Sequence, residues 1–398
     1  MHQSFHSLSY SSMYNSGVLL VVLIVLIRIF CRFIKHIMMT NNSIELHTDS
    51  IETDSTVITI VFVLYCLVSV VGICGNALTI LSILLNKKLK SIPNVYIGNL
   101  ATADFIVCSV IAPFSAYVLI ADKMSLKSHI CTFIGALNVA LLGNTMFNLA
   151  AIAVNRYILL VRGSRLYRKL YTRRNVILSV ITLWVMPVIM VLPALSGFGS
   201  FGYNRLMGTC IFISHDKITY IYVQSILHGI CVGPSIGITV FCYVRIIIHF
   251  RRTQNRLKMS VNKKMQTPVV NSKVNSTTLE YRADDSSKVE EYEISSSGPS
   301  NNNSVQTPAA KRTRASRRVV ANLCTVFVVF ICCWSPVVTI FTVDYYRVFP
   351  AAVYQIFLVI AVANSCLNVF IYAGMNRVFR KTYIRLLRCR LNKINSSF

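Results

Sequence analysis

Several polar residues stand where their chemistry is costly. Asp104 closes the run Leu100-Ala101-Thr102-Ala103-Asp104 inside a long apolar stretch. An ionisable side chain in such a setting marks a functional site by default. Asn76, Thr145, Asn364, Ser365 and Asn368 can reach the same depth from other apolar stretches. Oxygen acceptors around one carboxylate suit a small hard cation or a bound water cluster. A purely structural polar network would use the same residues. A second exception is Asn155-Arg156-Tyr157, within an otherwise apolar run over residues 149–161. An arginine costs about 2.5–3.5 kcal/mol at a membrane centre and less near an interface. Basic residues follow at once, from Arg162 to Arg174. Arg156 therefore belongs at the cytoplasmic mouth of a membrane helix. An arginine that snorkels there and only marks the boundary fits that pattern too.

Composition fixes the class these residues sit in. The chain has 398 residues, 54% hydrophobic and 14% charged, with formal net charge +26. Apolar runs of about 20 residues recur, long enough to cross a bilayer as helices. The basic residues cluster in short loops beside those runs, as the positive-inside rule requires. Topology and attraction to anionic membrane lipid explain the charge better than nucleic acid does. Thirteen cysteines make no disulfide framework, because most lie inside apolar runs. No zinc-spaced pair, HExxH motif or nucleophile–base pair is visible, so no enzyme is expected.

Seven spans position the polar residues: about 56–85, 94–121, 129–161, 176–195, 218–250, 319–343 and 351–372. Loops between spans 1 and 2 and between spans 3 and 4 are strongly basic. This places the N-terminus outside and the C-terminus in the cytoplasm. Residues 1–55 form an N-terminal extension and tail. The first 40 are of doubtful status: residues 17–30 are apolar apart from Arg28, and no basic n-region precedes them. Asn41 opens a sequon and is a glycan candidate. Residues 251–318 form a polar third cytoplasmic loop expected to be disordered. Residues 373–398 hold an interfacial amphipathic helix and a tail. In that helix Phe379, Tyr383 and Leu387 share one stripe. Cys389 follows it and is either a palmitoylation site or an unmodified cysteine. The fold expected is an all-α membrane protein, a seven-transmembrane helix bundle with a short amphipathic interfacial helix.

With that topology, only Cys131 and Cys210 face an oxidising exterior, and a bridge between them would tie the loop before span 5 across the bundle. Span 6 carries Cys333-Trp334-Ser335-Pro336, where Pro336 removes a helix hydrogen bond and kinks the span. Trp334 beside it is a lever or simple packing. Span 7 carries Asn368-Val369-Phe370-Ile371-Tyr372.

In order and on the right spans, these residues resemble the rhodopsin-like (class A) G-protein-coupled receptors over about 56–389, apart from the third cytoplasmic loop. Gly75-Asn76, Trp184 and Phe330 add to the match. The resemblance implies an extracellular Cys131–Cys210 disulfide. It implies an allosteric sodium ion near Asp104, Thr145, Asn364, Ser365 and Asn368, with Asn76 close by, and no other cofactor. Met146, Phe330, Trp334 and Pro336 correspond to the activation switch. Asn155, Arg156, Tyr157 and Tyr372 correspond to the coupling end. The implied partners are a heterotrimeric G protein, of Gi/o type, an arrestin and an extracellular ligand.

Departures sharpen the reading. Asn155 stands where an acidic residue is usual, and Val369 where span 7 usually has proline. Pro234 lies one residue further from Tyr243 than usual, so a bulge or a different alignment is expected in span 5. Asn138 replaces the aspartate with which amine receptors hold their ligand, so Asn138 and Trp334 are ligand-pocket candidates without an amine salt bridge. Asn155 to Tyr157 and residues 197–212 are similar to the melatonin receptors and the insect moody-type orphan receptors. Ala194 after Pro193, and Ser214 after Ile213, depart from the melatonin pattern. An orphan-type receptor near the moody group is the favoured expectation, and a melatonin receptor proper the alternative. A transporter or channel would show internal repeats with paired broken helices, which the sequence lacks.

Overall fold

The computed structural model describes residues 55–121, 128–197, 199–213, 216, 219, 232–266, 308–343 and 349–389. Seven helices are long and apolar enough to cross a membrane: Ser55–Leu85, Ile92–Ile120, His129–Arg162, Arg173–Leu195, Gly233–Arg256, Leu323–Phe341 and Ala351–Met375. They are spans 1 to 7. The described chain divides into two compact units. One draws on residues up to Ile247 and from Arg317 onward; the other is Ile248–Ser316.

In the first unit, span 1 packs against spans 2 and 7, and span 3 against spans 2 and 4. Span 4 turns Ile177, Leu178, Ile181, Val188, Ile189 and Leu192 outward, as a helix facing lipid should. Close approach is set by small residues. A Cβ on Gly75 would lie 2.8 Å from a Val369 methyl. Val369 keeps the N–H that a proline would lack, and span 7 runs unbroken as helix from Ala351 to Met375.

Spans 2 and 3 each contain a full turn wider than α-helical. In span 2 it covers Val107–Ile111, just before Pro113. In that wider register Pro113 would be the donor to the Cys108 carbonyl, and proline has no N–H. The Ser69 hydroxyl of span 1 donates to that carbonyl instead, at 2.8 Å. In span 3 the wide turn Ile158–Arg162 ends at Gly163, whose φ of 95° is open to glycine. A short helix, Ser164–Leu170, follows in the loop.

Two differences from the sequence reading have physical causes. A two-stranded antiparallel hairpin, β1 (Ser200–Asn204) and β2 (Thr209–Ile213), stands in the loop before span 5. Phe201, Tyr203, Ile211 and Ile213 suit strands, and Gly208 closes the turn with φ 62°. The span 5 helix continues to Gln266 and the span 6 helix begins at Pro308. The polar loop therefore has helical ends, because Arg, Lys, Gln, Met and Ala there are good helix formers. Pro234 sits in the first turn of the described span 5 helix, directly after a wide-turn residue at Val232, and the segment 220–231 before it lies outside the described residues. The residues 1–54, including Asn41, and the loop middle at 267–307 lie outside the described residues.

The amphipathic helix is Arg377–Leu387, capped by Asn376, whose side-chain oxygen accepts from the Val378 N–H at 3.0 Å. Phe379 and Tyr383 are buried, while Leu387 is exposed. Phe379 stacks on Tyr372 of span 7 at 5.7 Å between ring centroids. Tyr383 and Thr79 share a hydrogen bond of 2.7 Å, and Asn86 donates to Thr382 at 2.8 Å. These contacts dock the helix under span 1. Burial pushes the Tyr383 phenol up to about 12, with the Thr79 hydrogen bond opposing it, so it remains neutral. Cys389 follows, exposed and at φ 52°.

Candidate functional site

Three regions carry the residues that the sequence singles out. At one end of span 3, Cys131 and Cys210 form a disulfide with Cα atoms 5.3 Å apart. Neighbouring bonds hold the same hairpin. Thr132 donates to the Phe201 carbonyl at 3.0 Å. Ser115 and Thr209 share a hydrogen bond of 3.1 Å. Gly135 faces Phe201 so closely that a Cβ would lie 3.0 Å from its ring. Asn138 is half-buried on span 3.

The middle region surrounds Asp104, which is fully buried. Asn368 of span 7 donates to one carboxylate oxygen at 2.9 Å. Asn76 of span 1 donates to the carbonyls of Gly72 and Ser365, each at 3.0 Å. Spans 1, 2 and 7 are thus joined at one depth. The other Asp104 oxygen and the side-chain oxygens of Asn364 and Asn368 are buried without hydrogen-bond partners. Unpaired buried acceptors beside a carboxylate are what a hard cation or an ordered water would satisfy. Thr145 is buried on span 3. Nearby on span 6, Phe330 is buried and stacks with Trp334 at 6.0 Å between centroids. Pro336 lies inside the same helix, and Met146 is buried on span 3.

The third region is the far end of span 3. Asn155 is fully buried and donates to the Tyr167 hydroxyl of the loop helix at 3.3 Å. Its side-chain oxygen and the Arg156 Nε have no hydrogen-bond partner. Arg156 is within electrostatic range of Tyr167 and Tyr243, and Tyr243 within range of Tyr372. No acidic residue occurs among the described loop residues at this end, 86–91, 163–172 and 376–389. Tyr157 meets Phe241 of span 5 at 5.9 Å, and Tyr243 meets Phe327 of span 6 at 6.2 Å. Tyr167 stacks on Tyr171 at 4.8 Å. Burial holds the Tyr171 phenol above its ordinary value, with the Asn155 hydrogen bond opposing it.

Sequence reasoning missed a polar belt between spans 2, 3 and 4. Trp184 donates to Asn99 at 2.7 Å, Asn144 to the Leu183 carbonyl at 2.9 Å and Asn148 to the Tyr96 carbonyl at 2.9 Å. Tyr96 and Ser179 share a 2.8 Å bond. The available signal was three asparagines in apolar runs, the same signal that singled out Asn76. Tyr167 was also missed, because nothing local distinguishes it from any loop tyrosine.

With this geometry in place, likeness to known proteins can be weighed. The sequence model described as 7 transmembrane receptor (rhodopsin family) matches residues 75–372. Melatonin receptor type 1B-B of Danio rerio is 27% identical over 322 residues, covering 79% of this chain and 77% of that protein. The G-protein coupled receptor moody of Drosophila melanogaster is 23% identical over 343 residues, covering 80% of this chain but 49% of that protein. The chain therefore spans about half the length of that insect relative. The crystal structure of squid rhodopsin superposes with a TM-score of 0.67 at 18% identity, covering 90% of this chain and 93% of squid rhodopsin. That likeness speaks for the fold.

Proposed function

The chain belongs to the rhodopsin family of seven-transmembrane receptors, and from that premise we propose that it is a receptor with raised ligand-free output. As a member of that family it is a multi-pass membrane protein that couples an extracellular ligand to a G protein. The reading of raised output rests on one observation. Arg156 has a neutral neighbour, and that neighbour directs its amide to Tyr167. A charge-assisted hydrogen bond is roughly twice as strong as a neutral one. Without a carboxylate to hold it, Arg156 is free to meet the G protein at a smaller cost. Ligand binding then shifts a two-state equilibrium of spans 5 and 6 that is already poised.

The finer points of this reading follow the charge pattern and the site chemistry. The N-terminus is extracellular, with a glycan on Asn41. The G protein is of Gi/o type, and an arrestin is the second cytoplasmic partner. Asp104, with Asn364, Ser365 and Asn368, would hold a sodium ion, whose charge would offset that of the carboxylate. The three unpaired buried oxygens support that fit. Arg156, with Tyr157 and Tyr372, forms the coupling end, and Phe330, Trp334, Pro336 and Met146 form the switch. Palmitate on Cys389 suits its exposed place after the amphipathic helix. Asn138 disfavours an amine held by a salt bridge; Ala194 and Ser214 favour a ligand other than melatonin, with a melatonin receptor proper as the alternative.

Ligand-free G-protein dissociation in cells expressing the full chain tests this directly. Output above that of empty cells, lost in Arg156→Ala at matched surface expression, is expected. A silent wild type at the cell surface contradicts the raised output.

A further inference from the structure

The turn joining β1 to β2 reads Arg205-Leu206-Met207-Gly208. Its exposed member is Arg205. Met207 is 3% exposed. It belongs to one apolar cluster with Val337 and Ile340 of span 6 and Tyr354 and Leu358 of span 7, and Leu206 and Trp334 pack against that cluster. A hairpin tip therefore joins the apolar cluster of spans 6 and 7 against which the tryptophan of the switch also packs.

The tip is held there from several sides. The Cys131–Cys210 bond ties β2 to span 3. The Asn204 side-chain oxygen accepts from the Met207 N–H at 3.1 Å, and the Gly208 N–H donates to the Asn204 carbonyl at 2.9 Å. Gly208 adopts φ 62°, and a Cβ there would lie 2.6 Å from a Leu119 methyl. A freely moving loop needs no such seating. Methionine is the adaptable apolar side chain that fills irregular space well, and a small ligand fills the same kind of space.

We propose that Leu206 and Met207 act as a tethered occupant, completing from within the chain the apolar cluster that Trp334 packs against, where a diffusible ligand would otherwise sit, and so supporting ligand-free signalling. This rests on the raised-output reading given above. Being covalently tethered, the occupant is present at high effective concentration without a free ligand. A diffusible ligand acts beside the tip or by displacing it.

The experiment measures ligand-free G-protein dissociation in cells expressing full-length receptor, matched for surface expression. Met207→Ala empties the position, and output should fall about threefold or more. Leu206→Ala, at a half-buried position, should lower output in the same direction and serves where Met207→Ala reaches the surface poorly. Met207→Leu conserves volume and should stay within about twofold of wild type. Arg205→Ala, on the exposed side of the turn, should leave output unchanged. Wild-type output that persists or rises in both alanine variants overturns the tether alone. A silent wild type overturns the raised-output reading on which it rests.

Discussion

The two ends of span 3 are held in opposite ways. At the Cys131 end a covalent bond, a side-chain hydrogen bond to Phe201 and a close glycine–aromatic contact fix the hairpin to the helix. At the Arg156 end neutral contacts serve instead: Asn155 donates to Tyr167 at 3.3 Å and also meets the Tyr171 phenol, beside further aromatic rings. Span 3 is thus anchored where the hairpin lies and only loosely restrained where a G protein would dock. A receptor needs such an asymmetry, because a rigid end can pass a small displacement to an end with two accessible arrangements. The buried Asp104 network lies between the two ends, joining spans 1, 2 and 7 through asparagine amides.

The largest expected effect comes from breaking the rigid end. Closing a loop of 79 residues contributes about 4.5 kcal/mol in the chain-entropy model. Cys131→Ser and Cys210→Ser should each lose most surface expression. The double variant should be little worse than either, because both act on one bond. Surface labelling of intact cells measures this, and additive losses would show that the bond is not the shared cause.

Breaking the loose end should leave expression and remove signalling. Arg156→Ala is expected to lower G-protein activation by on the order of tenfold or more, since the cation is the proposed coupling contact. A variant that signals normally would assign coupling elsewhere. The middle region gives a smaller and conditional effect. Asp104→Asn should abolish any dependence of ligand-free activation on sodium, measured in membranes with sodium exchanged for a bulky organic cation. Sodium sensitivity that survives unchanged would leave Asp104 a structural group. The smallest effect sharpens the comparison itself. Tyr167→Phe removes one neutral hydrogen bond, about 1 kcal/mol, so amide exchange in the loop helix Ser164–Leu170 should speed about fivefold. The backbone amides of β1 and β2 should keep their protection.

How much of this was legible in the chain follows from what each feature depends on. The spans were visible because lipid demands long apolar runs, and the polar exceptions within them pointed to Asp104, Asn76 and Asn368, which the structure does bring together. Cys131 and Cys210 were visible because topology leaves few cysteines outside. The belt of Asn99, Asn144, Asn148 and Trp184 was not, since its bonds join helices that no local period relates. The wide turn in span 2 was hidden for a similar reason. Pro113 was visible in the sequence, but not the Ser69 hydroxyl from another helix that meets the Cys108 carbonyl. The partner of Asn155 was equally remote from simple reading: its neutral character was plain, while the turn of chain that brings Tyr167 back to it depends on Gly163. The packing of the hairpin tip into the cluster of spans 6 and 7 belongs to the same class of feature.

The central claim is that Arg156 lacks a charged restraint and that the receptor therefore signals without ligand. The most direct measurement is ligand-free G-protein dissociation for Asn155→Asp against wild type at matched surface expression. A carboxylate at this position strengthens the hold on Arg156 by about 1 kcal/mol, which lowers the active fraction several-fold. The account predicts that fall. Output that is unchanged or raised in Asn155→Asp would contradict it.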